Sequence, residues 1–516
     1  MALEAERLQV AETLRRELGQ TNALTPEQAR LFVRCLQHSW QVPPNQWSAL
    51  ESQEQLADAR RLLHAAELFR ELEGEGSASA IECYRRAGEL FEWLARADDA
   101  LKCLLPVALL SAGAYQLGEL PAMAGSVLRQ QVTRDQAGDL GFDMVANQPE
   151  PNEEDEDQRK LGLDDGSRIR DVVGGMPAGG DGRLYAAFFQ ADFDEALRQA
   201  ADFWARHPGL TTRRGSAAIL GEDAEDRVAW YLVVELVRAI GLASDALRRG
   251  DDARLTVARR KFVGLKEIAV RSASEDVWML LTLLQATAER FAAASLYPRI
   301  EQLAAGAPAM APRLKAFARE QFARGRGVLW TSQIHGLEKL AQASSFALCT
   351  PTGSGKTLVA NLALIKELLV SERDILGPAP LALYLVPSRA LAGEVEAKLT
   401  AELGRDLVIT GLYGGADWGI TDYWLTADQP TVLIATVEKA DALMRYLGPI
   451  LVGRLKLLIL DEAHQVVADT DRSSLERLAD HGSRAMRLES LVSRLLALKP
   501  AVIRIALTAV AGGSRR

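Results

Sequence analysis

The chain has 516 residues, 48% of them hydrophobic and 25% charged, an ordinary globular balance able to bury the cores of several domains. Its formal net charge is −9, so the overall field does not attract polyanions, and any nucleic-acid contact must come from a local surface. Cys35, Cys83, Cys103 and Cys349 are far apart in a chain without a C-x-x-C or Cys/His cluster, which argues against a zinc site or a disulfide framework and fits a reducing cytoplasm.

Residues 1–140 are predicted as a helical N-terminal region. The opening stretch MALEAERLQVAETLRREL has helical spacing and lacks the apolar core of a signal peptide. LFVRCLQHSW, ADARRLLHAAELFREL and the long run from Ala80 carry apolar residues three and four apart. Ala80–Arg96 and Asp98–Leu117 read as helical hairpins, with Asp98 as an N-cap. A solenoid and an irregular helical bundle both fit. The longest apolar runs, such as Cys103–Ala114, are too short to span a bilayer, and no membrane role is expected. A helical surface of this kind is also a place for a protein partner.

Residues 141–182 change character. NQPEPNEEDEDQRK is acidic and DVVGGMPAGGDGR is Gly-rich, the texture of a linker or long exposed loop. The acidic run Glu153–Asp157 is either a solvated stretch or a polyanion mimic.

Residues 183–325 return to helix, with Phe188, Phe189, Phe203, Trp204, Trp230 and Tyr231 expected to fill the core. Arg254, Arg259, Arg260, Lys261 and Lys266 lie along one helix, either as a solvated face or as phosphate contacts.

Residues 326–516 alternate short apolar strands (FALC, ALYLV, LVITGLYG, TVLIAT, KLLILD, VIRIAL) with helical segments. Near-continuous apolar strands separated by helices imply a parallel sheet covered on both faces, an α/β domain behind a largely all-α region. Ligands of such sheets bind beyond the carboxyl ends of the strands.

The first strand runs into FALCTPTGSGKTLV, Phe346–Val359, and then into an apolar helical segment. Strand, Gly-rich loop and helix in that order are what a phosphate-binding loop requires. Gly353 and Gly355 let the backbone curl, so that N–H groups around Thr352 and Ser354 point inward beside the positive end of the helix. Lys356 is placed to reach terminal phosphates and Thr357 to hold Mg²⁺. The first position of the eight-residue pattern is Thr350 rather than Gly.

A later strand ends in Asp461-Glu462-Ala463-His464. A carboxylate here can face the same Mg²⁺, and Glu462 is placed to act as general base on a water. Phosphate loop and strand-Asp-Glu in this order point to a nucleoside-triphosphatase site.

With both motifs in place, this last region resembles the first motor domain of superfamily 2 DEAD/DEAH-box helicases. TPTGSGKT is similar to motif I, in which a first-position Gly is not required. LVPSRALAGEV resembles motif Ia, LYGG the GG motif, and IATVEKAD motif Ib. The resemblance implies a RecA-like P-loop fold and ATP as substrate. It implies single-stranded nucleic acid, DNA or RNA, gripped through Pro387, Ser388, Arg389, Gly414, Gly415 and Thr436. LWTSQIHGL resembles the Q-motif region, with Gln333 as reader of adenine. MRLESLVSRLLAL is similar to the superkiller-type branch. His464 and Thr508 would couple hydrolysis to strand movement. Motif III departs from the family, reading Thr508-Ala509-Val510 without its second hydroxyl. A second RecA-like domain, in cis or in trans, is implied as a partner and is not expected within this chain, which should then be weakly active alone. The rival expectation is a non-unwinding, nucleotide-sensing scaffold of a bacterial defence system.

Overall fold

The computed structural model describes residues 2–18, 49–97, 105–138, 182–211, 224–272, 275–342, 345–350, 355–371, 377–413, 423–426, 428–466 and 484–509. The chain divides into two compact units, residues 1–293 and 294–516. The acidic and Gly-rich stretch and Asp98 lie outside the described residues.

The first unit is helical throughout its described residues: α1 (Ala2–Glu17), α2 (Ala49–Glu73), α3 (Ala78–Ala97), α4 (Val107–Leu117), α5 (Pro121–Gly138), α6 (Arg183–Phe189), α7 (Phe193–Arg206), α8 (Ala224–Arg249), α9 (Asp252–Ser272) and α10 (Glu275–Ala293). Helices pack on their sequence neighbours, as hairpins do, while α4 also packs on α10. The reason lies in α4 itself. VALLSAGAYQL carries no charge, and every residue of it is buried. It begins behind Pro106, which lacks an N–H and is tolerated at a helix start.

Phe188, Phe189 and Phe203 are buried as expected, but Tyr231 is 48% exposed. It falls on the outer face of α8, where helical position outweighs hydrophobicity. Trp204 is partly buried, edge-on to Phe203 and under the Arg238 guanidinium, and the side chain of Trp230 lies outside the described residues. The basic run on α9 is taken up largely by acids: Arg254 pairs with Asp245 and Asp251, Lys261 with Glu235, and Lys266 approaches Glu67 at 3.9 Å. Arg259 and Arg260 are exposed.

The second unit opens with α11 (Leu296–Ala305), α12 (Ala311–Ala323) and α13 (Thr331–Ala341), ahead of any strand. Six parallel strands follow, β1 (Phe346–Cys349), β2 (Leu381–Val386), β3 (Val408–Leu412), β4 (Thr431–Thr436), β5 (Leu455–Leu460) and β6 (Ile503–Thr508), in the order β1-β6-β5-β2-β4-β3. The α/β expectation therefore holds. LALYLV and TVLIAT are buried at every position, as strands covered on both faces must be. The covering helices are α14 (Lys356–Ile365), α15 (Arg389–Leu403), α16 (Val437–Arg454) and α17 (Arg484–Leu498). Leu443 and Leu451 of α16 and Leu491 and Leu495 of α17 close a core on Leu383, Leu433 and Leu458. Glu402 on α15, 9% exposed, accepts from Asn361 on α14 (2.7 Å) and from Arg326 just beyond α12 (2.6 Å), tying these helices together.

The strand register decides what meets at the carboxyl edge. Cys349 of β1 lies opposite Thr508 of β6, Ala506 opposite Leu460 of β5, Leu460 opposite Leu385 of β2, and Val386 opposite Thr436 of β4. The loops after β1, β2, β4, β5 and β6 therefore leave one edge side by side. Among the described residues, no helix is long and apolar enough to cross a membrane.

Candidate active site

At the start of α14, Gly355 takes a left-handed backbone, φ +72° and ψ 28°. A Cβ there would lie 2.2 Å from Nε2 of Gln333. That closeness comes from hydrogen bonding: Gln333 donates through Nε2 to the Gly355 carbonyl at 2.9 Å and accepts through Oε1 from the Trp330 N–H at 2.8 Å. Gln333 is 5% exposed. Its amide braces the end of the Gly-rich loop against the first turn of α13, a contact the sequence did not suggest for a residue expected to read adenine. Thr352, Gly353 and Ser354 lie outside the described residues.

Lys356 is buried, 9% exposed, and its ammonium has no hydrogen-bonding partner among the described residues. The nearest carboxylate is Glu462 Oε1, at 3.8 Å. Thr357 follows on the same first turn and is partly buried. An ammonium placed out of water without acceptors is costly unless something brings acceptors to it.

The acidic pair arrives on β5. Asp461 donates its N–H to the Leu385 carbonyl at 2.9 Å, continuing the ladder past the strand end. Its Oδ1 accepts from the Glu462 N–H (2.9 Å) and its Oδ2 from the Tyr384 hydroxyl (3.0 Å). Burial raises the Asp461 carboxyl above its ordinary value, against the opposing pull of those two hydrogen bonds. Burial, then the Asp461 charge, pushes the Tyr384 phenol well above its own, so it remains a donor. Glu462 has φ +45°, a left-handed backbone that costs a non-glycine residue about 1–2 kcal/mol. That turn leaves its carboxylate between Lys356 and His464, whose Nδ1 lies 3.3 Å from Oε2. His464 Nδ1 in turn meets the Thr508 hydroxyl at 3.2 Å. Lys356, Glu462, His464 and Thr508 thus form one chain across the ends of β1, β5 and β6. Val510, the altered motif III position, lies outside the described residues.

A family model, DEAD/DEAH box helicase, matches residues 330–509. The chain carries a DEAD/DEAH box helicase domain.

Curated relatives agree with it. The chain is 36% identical over 129 residues to Hachiman protein HamB of Bacillus cereus, covering 25% of this chain and 11% of that protein. It is 31% identical over 172 residues to ATP-dependent DNA helicase Hel308 of Thermococcus kodakarensis, covering 33% of this chain and 14% of that one. The chain thus spans well under a fifth of the length of these two relatives. Among solved structures, Mycobacterium smegmatis helicase Lhr bound to ssDNA and AMP-PNP is similar at 24% identity and a TM-score of 0.30, over 38% of this chain and 25% of that one.

Of the remaining predicted residues, Pro387, Ser388 and Arg389 follow β2, the strand beside β5, and Thr436 ends β4 on the far side of β2. Pro387 is buried, and its carbonyl accepts from Arg484 Nη1 at 3.1 Å. Ser388 caps α15, its hydroxyl accepting from the Leu391 N–H at 3.2 Å, while Arg389 stands exposed beside it. Thr436, 7% exposed, precedes α16 and hydrogen-bonds Glu438. Burial alone would raise the Glu438 carboxyl, but its own backbone N–H, Arg484 and Thr436 hold it below its ordinary value. Gly414 and Gly415 lie outside the described residues.

Two residues of this domain escape sequence reasoning. Arg484, at the start of α17, joins the Pro387 loop to Glu438, which it meets at 2.6 Å. Tyr384 leaves a signal that is easy to pass over: a hydroxyl inside an otherwise apolar strand must find a partner when buried.

Proposed function

We propose that the chain is the helical N-terminal region and first motor domain of a nucleic-acid-dependent ATPase, a helicase or translocase. The observation that carries this reading is the buried ammonium of Lys356, 3.8 Å from Glu462 and without a hydrogen-bond partner among the described residues. The terminal phosphates of ATP are the acceptors that such a cation requires, and the cradle at Gly355 has no room for a side chain.

Lys356, with Thr352, Gly353, Ser354 and Gly355, binds the phosphates. Thr357 and Asp461 are the residues to hold Mg²⁺, which when bound screens the phosphate charge. Glu462 accepts the proton of the attacking water, with Lys356 and His464 steadying its two oxygens. Gln333 fixes the loop and is placed near the base end of the nucleotide. Pro387, Ser388, Arg389, Gly414, Gly415 and Thr436 take the sugar-phosphate backbone of single-stranded nucleic acid, and His464 with Thr508 couples the two sites. A second RecA-like domain, in cis or in trans, supplies transition-state arginines worth about 10³–10⁵ in rate in related phosphoryl transfer. The superkiller-type branch is the subfamily we favour.

Glu462→Gln tests the assignment: it should keep ATP binding and lose turnover, and surviving turnover would refute the role of Glu462. A second reading, a nucleotide-sensing scaffold that does not unwind, is favoured by the missing hydroxyl of motif III at Val510. Hydrolysis in the presence of a second RecA-like domain, with and without single-stranded nucleic acid, separates the two: stimulation supports the motor, its absence the scaffold.

A further inference from the structure

Tyr384 stands in the middle of β2, 1% exposed. The parallel register sets it opposite Ile459 and sets Leu385 opposite Leu460, one residue short of Asp461. From there its hydroxyl reaches across to Asp461 Oδ2 at 3.0 Å. The other oxygen, Oδ1, is held by the Glu462 N–H at 2.9 Å, and the Asp461 N–H is itself fixed on Leu385. The carboxylate is therefore gripped through both oxygens and its own backbone, from two neighbouring strands. A carboxylate held at one oxygen can swing about its Cβ–Cγ bond; one held at both cannot, and each oxygen still has a lone pair to offer.

Mg²⁺ tolerates little departure from octahedral geometry, so a ligand that swings is a poor one. Hydrogen bonds behind a metal ligand typically carry a 10–100-fold effect on metal affinity. We propose that Tyr384 is a positioning residue for the metal-binding carboxylate: its hydroxyl sets the orientation in which Asp461 presents itself to Mg²⁺. This rests on the ATPase reading above. The bland alternative is that Tyr384 only fills the core and satisfies its own hydroxyl. The two differ in what removing one oxygen atom does. Tyr384→Phe keeps the ring and its packing but frees Asp461 Oδ2.

The experiment is the affinity of the full chain for a fluorescent ADP analogue, titrated against free Mg²⁺ and repeated in EDTA. Tyr384→Phe should raise the half-saturating Mg²⁺ concentration by about 10–100-fold. Nucleotide affinity in EDTA should match wild type, and thermal unfolding should remain cooperative. A cycle with Asp461→Asn guards against a general loss of packing. Asp461→Asn should weaken the Mg²⁺ dependence by itself, and adding Tyr384→Phe to it should cost nothing more. Equal losses in EDTA and Mg²⁺, or additive losses in the double variant, would show a packing role and overturn the proposal. An unaltered Mg²⁺ dependence in Tyr384→Phe, with wild type clearly Mg²⁺-dependent, overturns the proposal alone. A wild-type chain that binds no nucleotide, with or without Mg²⁺, overturns the ATPase reading and this proposal with it.

Discussion

His464 Nδ1 lies 3.2 Å from the hydroxyl of Thr508, and so links the acidic motif after β5 to the end of β6. The same nitrogen is 3.3 Å from Glu462. A displacement of Glu462 when nucleotide binds would be felt at Thr508 through one imidazole. Thr508→Ala removes that contact and leaves Lys356, Asp461 and Glu462 untouched. The expected result is a loss of about fivefold in stimulation of hydrolysis by single-stranded nucleic acid, the equivalent of ~1 kcal/mol for one hydrogen bond. Basal turnover should change far less. Turnover with and without oligonucleotide, in the presence of a second RecA-like domain, measures both.

Gly355→Ala should fail for two separable reasons. Its left-handed backbone costs an alanine about 1–2 kcal/mol, and the new methyl would lie 2.2 Å from Gln333 Nε2. Nucleotide affinity and thermal stability should both fall. Adding Gln333→Ala removes the collision but not the backbone cost, so the double variant should recover part of the stability and none of the brace. Calorimetric titration with nucleotide and a thermal melt read the two parts.

In the helical unit, Arg60 grips Asp276 through Nη2 at 2.7 Å to both carboxylate oxygens and Nε at 3.0 Å. Asp276 is 2% exposed. Arg60→Ala strips a buried carboxylate of its guanidinium, a change that typically costs about 3–5 kcal/mol. Arg60→Lys should fall between, since an ammonium cannot match the forked geometry. The urea midpoint of the full chain, followed by a helical signal, should drop in that order.

Burial pushes the Cys83 thiol up to about 11 from an ordinary value of 9.0. The folded chain therefore holds this proton more tightly than the unfolded chain does. The stability that this supplies is whole below about pH 9 and is lost as pH rises toward about 11. Cys83 is also buried, whereas Cys349 is exposed on β1. At mildly alkaline pH, alkylation followed by peptide mapping should mark Cys349 well before Cys83. Labelling of Cys83 should rise only where the chain unfolds.

Much of the helicase domain is local chemistry, and the sequence alone determined it. FALC, ALYLV, TVLIAT and KLLILD are short apolar runs between helical segments, and each forms a parallel strand at that place. Gly355, Lys356 and Thr357 follow one strand and Asp461 and Glu462 another, so adjacency in sequence already put them at strand ends. Tertiary structure decided the rest, because the strand order β1-β6-β5-β2-β4-β3 is a product of packing rather than of any one segment. That order sets β2 beside β5 and gives Asp461 the Tyr384 hydroxyl, and it sets β6 between β1 and β5 and gives His464 its Thr508. That Gln333, expected to read adenine, also braces Gly355 emerged only when α13 was laid against the loop. Tyr231 shows the reverse case. Its hydrophobic ring argued for the core, but the turn of α8 carries it to the surface, because a helix buries one face and composition does not say which.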